Sequence, residues 1–345
     1  MTTFTETIGT SHEVKPVNVA DYVFRGYKED NRFSKLMGTR DNAVIHTKFF
    51  DKVAGDTFKF PFSSGVATSN WVSGNERLDG AGVELTKVAD SVTIDLNRVA
   101  VKVNGSTMSQ QRTTFDLYES DKVELKRSVG EKMEDIILTS LLDTTSGRVQ
   151  ERYTYGASES NYNATAATAK ANIDNSTDKL NLDMVQALAL KAKRKTVSGG
   201  LRMNPMEVRN VNGYPARKFI LLAHPLAIRD LKRDSTFLNQ VVYKDRPEFD
   251  LIAGSDYIGE YEGVMIYEFN NDSMIETGAG ADSIDIAHNM LLGANACGVG
   301  FGKVNLAPGN RALKVQAPEM RGVITIEDQD HGQIVDCGFS MVTGA

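Results

Sequence analysis

Between Leu125 and Leu141, apolar side chains recur at Leu125, Val129, Met133, Ile136, Ile137 and Leu141. Spacings of three and four put them on one stripe of an α-helix. Asp121, with Glu124 three residues on, forms a capping pair, and Gly147 is a C-terminal stop. The helix expected within 121–146, about 22 residues, is a rod of about 33 Å. One apolar stripe on so long a rod asks for a sheet to lie across, and leaves the far side wet. The rest of the chain must supply that sheet.

Strand signals precede the helix. Ala43–Phe50 is rich in β-branched and aromatic residues, and 52–56 is a turn containing Gly55. In Thr57–Phe62, Phe58, Phe60 and Phe62 share one face, because strand side chains alternate. Pro61 has no amide to donate, which favours a sheet edge. A glycine-rich polar stretch over 63–89 carries the chain's one tryptophan, Trp71. Beyond it Val92, Ile94 and Leu96 have one parity and Val99, Val101 and Val103 the other, which predicts a bulge near Asn97–Arg98. Residues 57–103 together predict a long two-stranded excursion. A lone hairpin is marginal in water, so this one is expected to lie on something, such as a second copy of the chain.

A second helix is expected over 182–196, with Leu182, Val185, Leu188, Ala189 and Ala192 inward and Asn181 as its N-cap. Lys191, Lys193, Arg194 and Lys195 crowd its last turn, where cations complement the helix dipole or meet an acidic partner surface. Lys218–Ala223 predicts a buried strand, ended by His224-Pro225, with Pro225 in the first turn of a helix over 226–234 and further helix over 237–243. Tyr257–Phe269 predicts a hairpin turning at Glu262-Gly263. Ile284–Phe301 is apolar, and strands over 322–326 and 333–342 flank a charged turn at 327–332. Strands and helices interleave without a βαβ repeat, so the fold class is α+β.

Short helices are expected over 19–26 and 30–37 within an N-terminal arm, residues 1–40. Its first twenty residues, rich in Thr and Ser, cannot form a core of their own. Residues 154–179 are nearly all Ala, Ser, Thr and Asn. Neighbouring copies of the chain are the simplest clamp for both.

With a net charge of -6, the 345-residue chain lacks the basic domain of a dedicated nucleic-acid binder. Two cysteines, Cys297 and Cys337, make no disulfide framework. The five histidines have no helical metal spacing. The Gly298-Val299-Gly300-Phe301-Gly302-Lys303 run lacks the Ser/Thr and following helix that a phosphate loop needs, and reads as a glycine-rich strand end. Glu327, Asp328, Asp330 and His331 form the densest polar cluster, without the ligand spacing of a calcium loop. No constellation supplies a nucleophile, base and orienter. No catalytic residue, metal site or cofactor is therefore expected.

Residues 219–234, FILLAHPLAIRDLKRD, resemble the "LLLHPLQARDLRRD" segment of a family of tailed-bacteriophage major capsid proteins, those like the coat protein of the N4-type phages. Residues 259–268, GEYEGVMIYE, are similar to that family's "G-x-x-x-G-V-x-I-Y-E" hairpin, and residues 290–296, MLLGANA, to its "LLLGAQA" strand. Asp330-His331-Gly332 sits where the family has Asp-Tyr-Gly, the histidine departing from the pattern. The motifs cover roughly the last third of the chain; the first half matches by plan.

The resemblance implies the tailed-phage coat fold: arm over 1–56, extended E-loop hairpin over 57–103, spine helix and P-domain over 104–180, A-domain over 181–310, and C-terminal strands returning to the core over 311–345. It implies a non-enzymatic subunit of an icosahedral head in the virion, forming hexamers and pentamers around double-stranded DNA after assembly in the host cytoplasm. Scaffolding, portal and decoration proteins are the partners it suggests, with non-specific DNA contact and no membrane. Trp71, Phe4, Tyr22 and Phe24 are the candidate interface residues. The alternatives are a decoration subunit, a tail subunit (the two helices speak against a tail tube) or a soluble enzyme. Strand signals beginning by Ala43 leave little room for a cleaved scaffolding segment, so no maturation cleavage is expected.

Overall fold

The structure, a computed structural model, describes residues 31–40, 42–51, 53–63, 71–75, 79, 82, 87–104, 117–143, 153–163, 165–194, 203–209, 215–240, 256–305, 312–317, 320–329 and 334–345. Two mixed sheets dominate them. The larger has strand order Met37–Gly38, Ile45–Phe49, Cys297–Phe301, Ile334–Gly344, Met320–Gln329, Ala312–Ala317, and Asp95–Asn104 also pairs with Ile334–Gly344. Ile45–Phe49 is parallel to both of its neighbours, and the other pairs are antiparallel.

The apolar stripe does form a helix, Leu117–Leu142, and it lies across this sheet. Leu125, Val129, Met133 and Ile137 are buried, together with Leu138, in one core with Val299, Phe301, Cys337, Phe339 and Met341. Val99 and Val101 pack against that core from Asp95–Asn104. The helix starts four residues before the expected capping pair, so Asp121 and Glu124 lie inside it. Lys122 pairs there with Glu119 one turn back, at 2.5 Å.

The second sheet runs Met290–Leu292, Pro215–Ala223, Val264–Glu268, Asp256–Tyr261, with Met206–Arg209 also on Pro215–Ala223. Phe219–Ala223 is flanked on both edges and buried throughout, which accounts for its unbroken apolar run. Ile220, Leu222, Met265 and Tyr267 face the core shared with the long helix. Phe219, Leu221, Val264 and Ile266 face the helices Leu182–Lys193 and Pro225–Leu231 and the side chain of Phe237. The hairpin turns at Glu262 (φ 52°) and Gly263 (φ 81°), the two positive φ values of a tight primed turn.

Several expectations are revised. The expected bulge at Asn97–Arg98 is absent: Asp95–Asn104 pairs with Thr343–Ile334 in one unbroken register. The change of face falls instead at Ile94, where the chain leaves the hairpin pairing of Thr57–Ser63 with Lys87–Thr93 and joins the large sheet. Of the helix expected over 30–37, the described part is a single 3-10 turn, Ser34–Leu36, followed by the strand Met37–Gly38. Phe33, Leu36 and Met37 are buried in their own subunit's core, so this end of the arm packs on its own fold. The 19–26 segment lies outside the described residues.

The polar tract 154–179 is likewise organised from within. Asp178 accepts the amides of Ala157 (2.8 Å) and Asp174 (2.9 Å) and the side-chain amide of Asn161 (2.9 Å). Ala169 is fully buried, the Ile173 carbonyl accepts the Ala281 amide, and Lys170 pairs with Glu276. Ala312–Ala317 forms a further strand ahead of the 322–326 and 333–342 runs, inside the 311–345 stretch of expected C-terminal strands.

Candidate interaction surface

The hairpin Thr57–Ser63/Lys87–Thr93 is seated on the large sheet by its aromatic face. Phe58 and Phe60 are buried with Val92, Ile94 and Val342, and Phe50 packs against them. The floor beneath is made of glycines. A Cβ on Gly300 would fall inside the Phe58 ring, and one on Gly298 would come within 2.9 Å of Phe60. A Cβ on Gly344 would strike the Thr93 carbonyl. The Gly298–Gly302 run is thus a strand end, as expected, and its lack of side chains makes a groove for two rings. Phe58 meets Phe50 at 4.3 Å and Phe60 at 5.3 Å between ring centroids. Lys48 lies 5.2 Å over Phe60, and His46 is edge-on to it at 6.3 Å. The root is closed by two backbone hydrogen bonds, Gly55 to Ile94 at 2.8 Å and Ile94 to Asp56 at 3.1 Å.

Beyond this clamped root in sequence, Trp71 is 79% exposed. A tryptophan so exposed leaves a large apolar surface in water, where such side chains mark contact surfaces. Val53 (43%) and Leu96 (40%) are also exposed apolar side chains. The other three candidates, Phe4, Tyr22 and Phe24, lie outside the described residues.

The sequence segments singled out in the second half have structural roles. His224 caps the helix Pro225–Leu231: its Nδ1 accepts the Leu226 amide at 3.2 Å, while its own amide donates to Asn289. Burial pushes the His224 imidazole below its ordinary pKa, against the opposing pull of Asn270, Asp272 and Glu268. Asp234 accepts the amides of Leu182 (3.2 Å) and Thr236 (2.9 Å), so one carboxylate serves two helix starts. Burial pushes its pKa up, and these hydrogen bonds outweigh that and hold it below the usual carboxylate value. Asn181 caps Leu182–Lys193 as expected, accepting the Met184 amide at 2.9 Å.

Two of the cations at the end of that helix, Lys191 and Lys193, are engaged within the chain. Lys193 donates to the Glu262 carbonyl at 2.8 Å and Lys191 to the Tyr153 carbonyl at 3.3 Å. His288 lies 3.2 Å from Glu276, which also holds Lys170. Cys297 and Cys337 are buried and not joined in a disulfide, and among the described residues no group of three or more His, Cys, Asp or Glu could hold a metal ion. Asp330 and His331 lie outside the described residues.

The family model for phage capsid protein matches residues 7–312. No curated protein matches the chain. Among solved structures, the capsid of Ralstonia phage GP4 is 18% identical, with 98% of this chain and 92% of that chain covered and a TM-score of 0.71. The cyanophage Pam1 capsid asymmetric unit is 20% identical, covering 100% and 94%, with a TM-score of 0.67. The acid-stable capsid of Helicobacter pylori bacteriophage KHP30 is 14% identical, covering 100% and 92%, with a TM-score of 0.61.

Proposed function

Because this chain belongs to the phage capsid protein family and is a structural subunit of a phage head, we propose that it assembles into hexamers and pentamers in which the hairpin lies over the adjacent subunit. The observation that carries this reading is the pairing of a clamped root with an exposed end. The hairpin spends its buried aromatic face on its own sheet and leaves Trp71, 79% exposed, as an anchor for a second copy. Phe4, Tyr22 and Phe24 extend the contact from the arm. Within the family, the motifs at 219–234, 259–268 and 290–296 ally the chain with the N4-type coats.

The subunit performs no catalysis. It encloses double-stranded DNA, and its net charge of -6 suits a wall that leaves DNA free to move, since every phosphate contact would add salt-dependent affinity. Assembly takes place in the host cytoplasm, with scaffolding and portal proteins as transient or fixed partners.

Trp71 is the chain's one tryptophan, so its fluorescence reports this site alone. Emission from full-length subunits should be red-shifted while they are dilute and free, and should move to the blue on assembly, with particles scored by negative-stain microscopy. Assembled particles whose emission still matches that of a solvent-exposed indole would refute the hairpin contact.

A further inference from the structure

We propose that the three-glycine floor, Gly298, Gly300 and Gly344, is a receptor that fixes the angle at which the hairpin leaves the subunit, which makes these glycines determinants of where Trp71 meets the neighbouring subunit. The inference rests on the reading that the hairpin contacts that neighbour.

The floor is built from two strands. Gly298 and Gly300 alternate on Cys297–Phe301, and Gly344 pairs directly with Gly300 from Ile334–Gly344. Their missing side chains leave a trough on the sheet face opposite the long helix. His46 and Lys48 pair with Gly298 and Gly300 and line one wall of it. Phe60 drops over Gly298 against that wall, with Lys48 5.2 Å above its ring. Phe58 drops over Gly300 and is backed by Phe50, which is itself tethered by Arg321 donating to its carbonyl at 2.8 Å.

Two rings two residues apart on one strand, each seated over its own glycine, define a direction as well as a position. To pivot about its root, the hairpin would have to lift both rings into water and break the Gly55–Ile94 and Ile94–Asp56 hydrogen bonds. The root, as far as Phe60, therefore moves with the sheet as one body. Shell geometry then depends on glycines covered by side chains and backbone of their own subunit. A methyl group at 300 displaces Phe58, and shortening Phe58 makes room for it.

The test measures hydrogen exchange of dilute full-length subunits, following the peptides that cover 57–63 and 87–93, alongside particle yield under assembly conditions. In the wild type both strands should be protected. Gly300→Ala should cost them about tenfold or more in protection while the amides of Leu117–Leu142 keep theirs, and should yield few or misshapen particles. Gly300→Ala combined with Phe58→Ala should be better protected and assemble better than Gly300→Ala alone. Should Gly300→Ala unfold the whole subunit, Gly298→Ala, a milder encroachment on Phe60, gives the same comparison with Phe60→Ala. Unchanged protection in the glycine variants, or double variants no better than the glycine variants alone, would overturn the receptor. Lost protection with normal particles would overturn its control of shell geometry. Failure of the underlying hairpin contact shows separately, as a Trp71 emission that does not move when wild-type subunits assemble.

Discussion

Arg32 is held by Glu134 across 102 residues of sequence, in a buried ion pair on the long helix. The Arg32 guanidinium covers the Phe269 ring at 3.6 Å, and Asn271 donates to the same Glu134 carboxylate at 2.9 Å. One buried carboxylate thus ties together the end of the arm, the helix and the second sheet's 269–271 segment. Removing one partner strands the other charge away from water. Glu134→Ala should therefore cost about 3–5 kcal/mol, whereas Arg32→Met with Glu134→Leu should be far milder, because no orphan charge remains. Urea unfolding of unassembled subunits measures both; equal costs would show that the pair contributes only packing.

Ile137 tests the helix register. It is fully buried, facing the sheet, while Val123 on the same helix is 44% exposed. Ile137→Ala should lower stability by about 2–5 kcal/mol through lost contacts and the cavity left behind. Val123→Ala should stay within about 0.5 kcal/mol, as an exposed site away from such features. Similar losses at the two sites, read by denaturant unfolding, would contradict the packing described.

Periodicity made some of this legible in the sequence. The stripe from Leu125 to Leu141, the alternation of Phe58 and Phe60, the Asn181 cap and the Glu262-Gly263 turn are local signals, each complete within a few residues, and each recurs in the structure. What escaped is set by pairing partners outside the segment itself, near or far along the chain. Phe33, Leu36 and Met37 have helical spacing, yet they are buried by a 3-10 turn and a short strand whose partner is Ile45–His46. Ala312–Ala317 has few β-branched or aromatic residues and is a strand because Met320–Thr325 pairs with it. Arg32 with Glu134 and Asp178 with Ala157 are long-range pairings. For the candidate surface, Trp71 was legible as a lone large aromatic in a polar stretch. The glycine floor under Phe58 and Phe60 was visible only as a run of glycines, because nothing in the spacing says which rings will fill it.

Asp234 gives a third expectation. Its carboxylate accepts from Leu182 at the start of one helix and from Thr236 in the first turn of another. Losing a cap costs about 0.5–2 kcal/mol, so Asp234→Ala should fall at or above the upper end of that range, since two starts lose a partner at once. Asp234→Asn keeps an acceptor and should cost less. Thermal or urea unfolding of both variants decides this; an Asp234→Ala change within error of wild type would show that neither contact matters.

Acid stability provides the last. His224 and His288 both have pKa values below the ordinary 6.5 in the folded chain, mainly because burial disfavours their charged forms. Around His224 stand Asn270, Asp272, Glu268 and the Asn289 side chain; around His288 stand Glu276, which favours the cation, and Lys170, which opposes it. The unfolded chain therefore takes up these protons first. Their contribution to stability is complete above pH 6.5 and declines as pH falls below it toward the folded pKa values, by at most about 1.4 kcal/mol per pH unit for each histidine. Lowered carboxylates such as Glu276 and Asp234 begin to weaken the fold only near their own ordinary values, 4.5 and 3.8, so the decline just below 6.5 belongs to the histidines. Protonation of His224 also removes the Nδ1 acceptor that caps Pro225–Leu231, so its proton and the helix start compete directly. Urea unfolding of free subunits at steps from pH 8 to pH 5 should show a plateau and then a fall. His224→Asn, which can still accept the Leu226 amide but does not titrate, should flatten the fall, and adding His288→Gln should flatten it further. A profile unchanged in the double variant would place the acid sensitivity elsewhere.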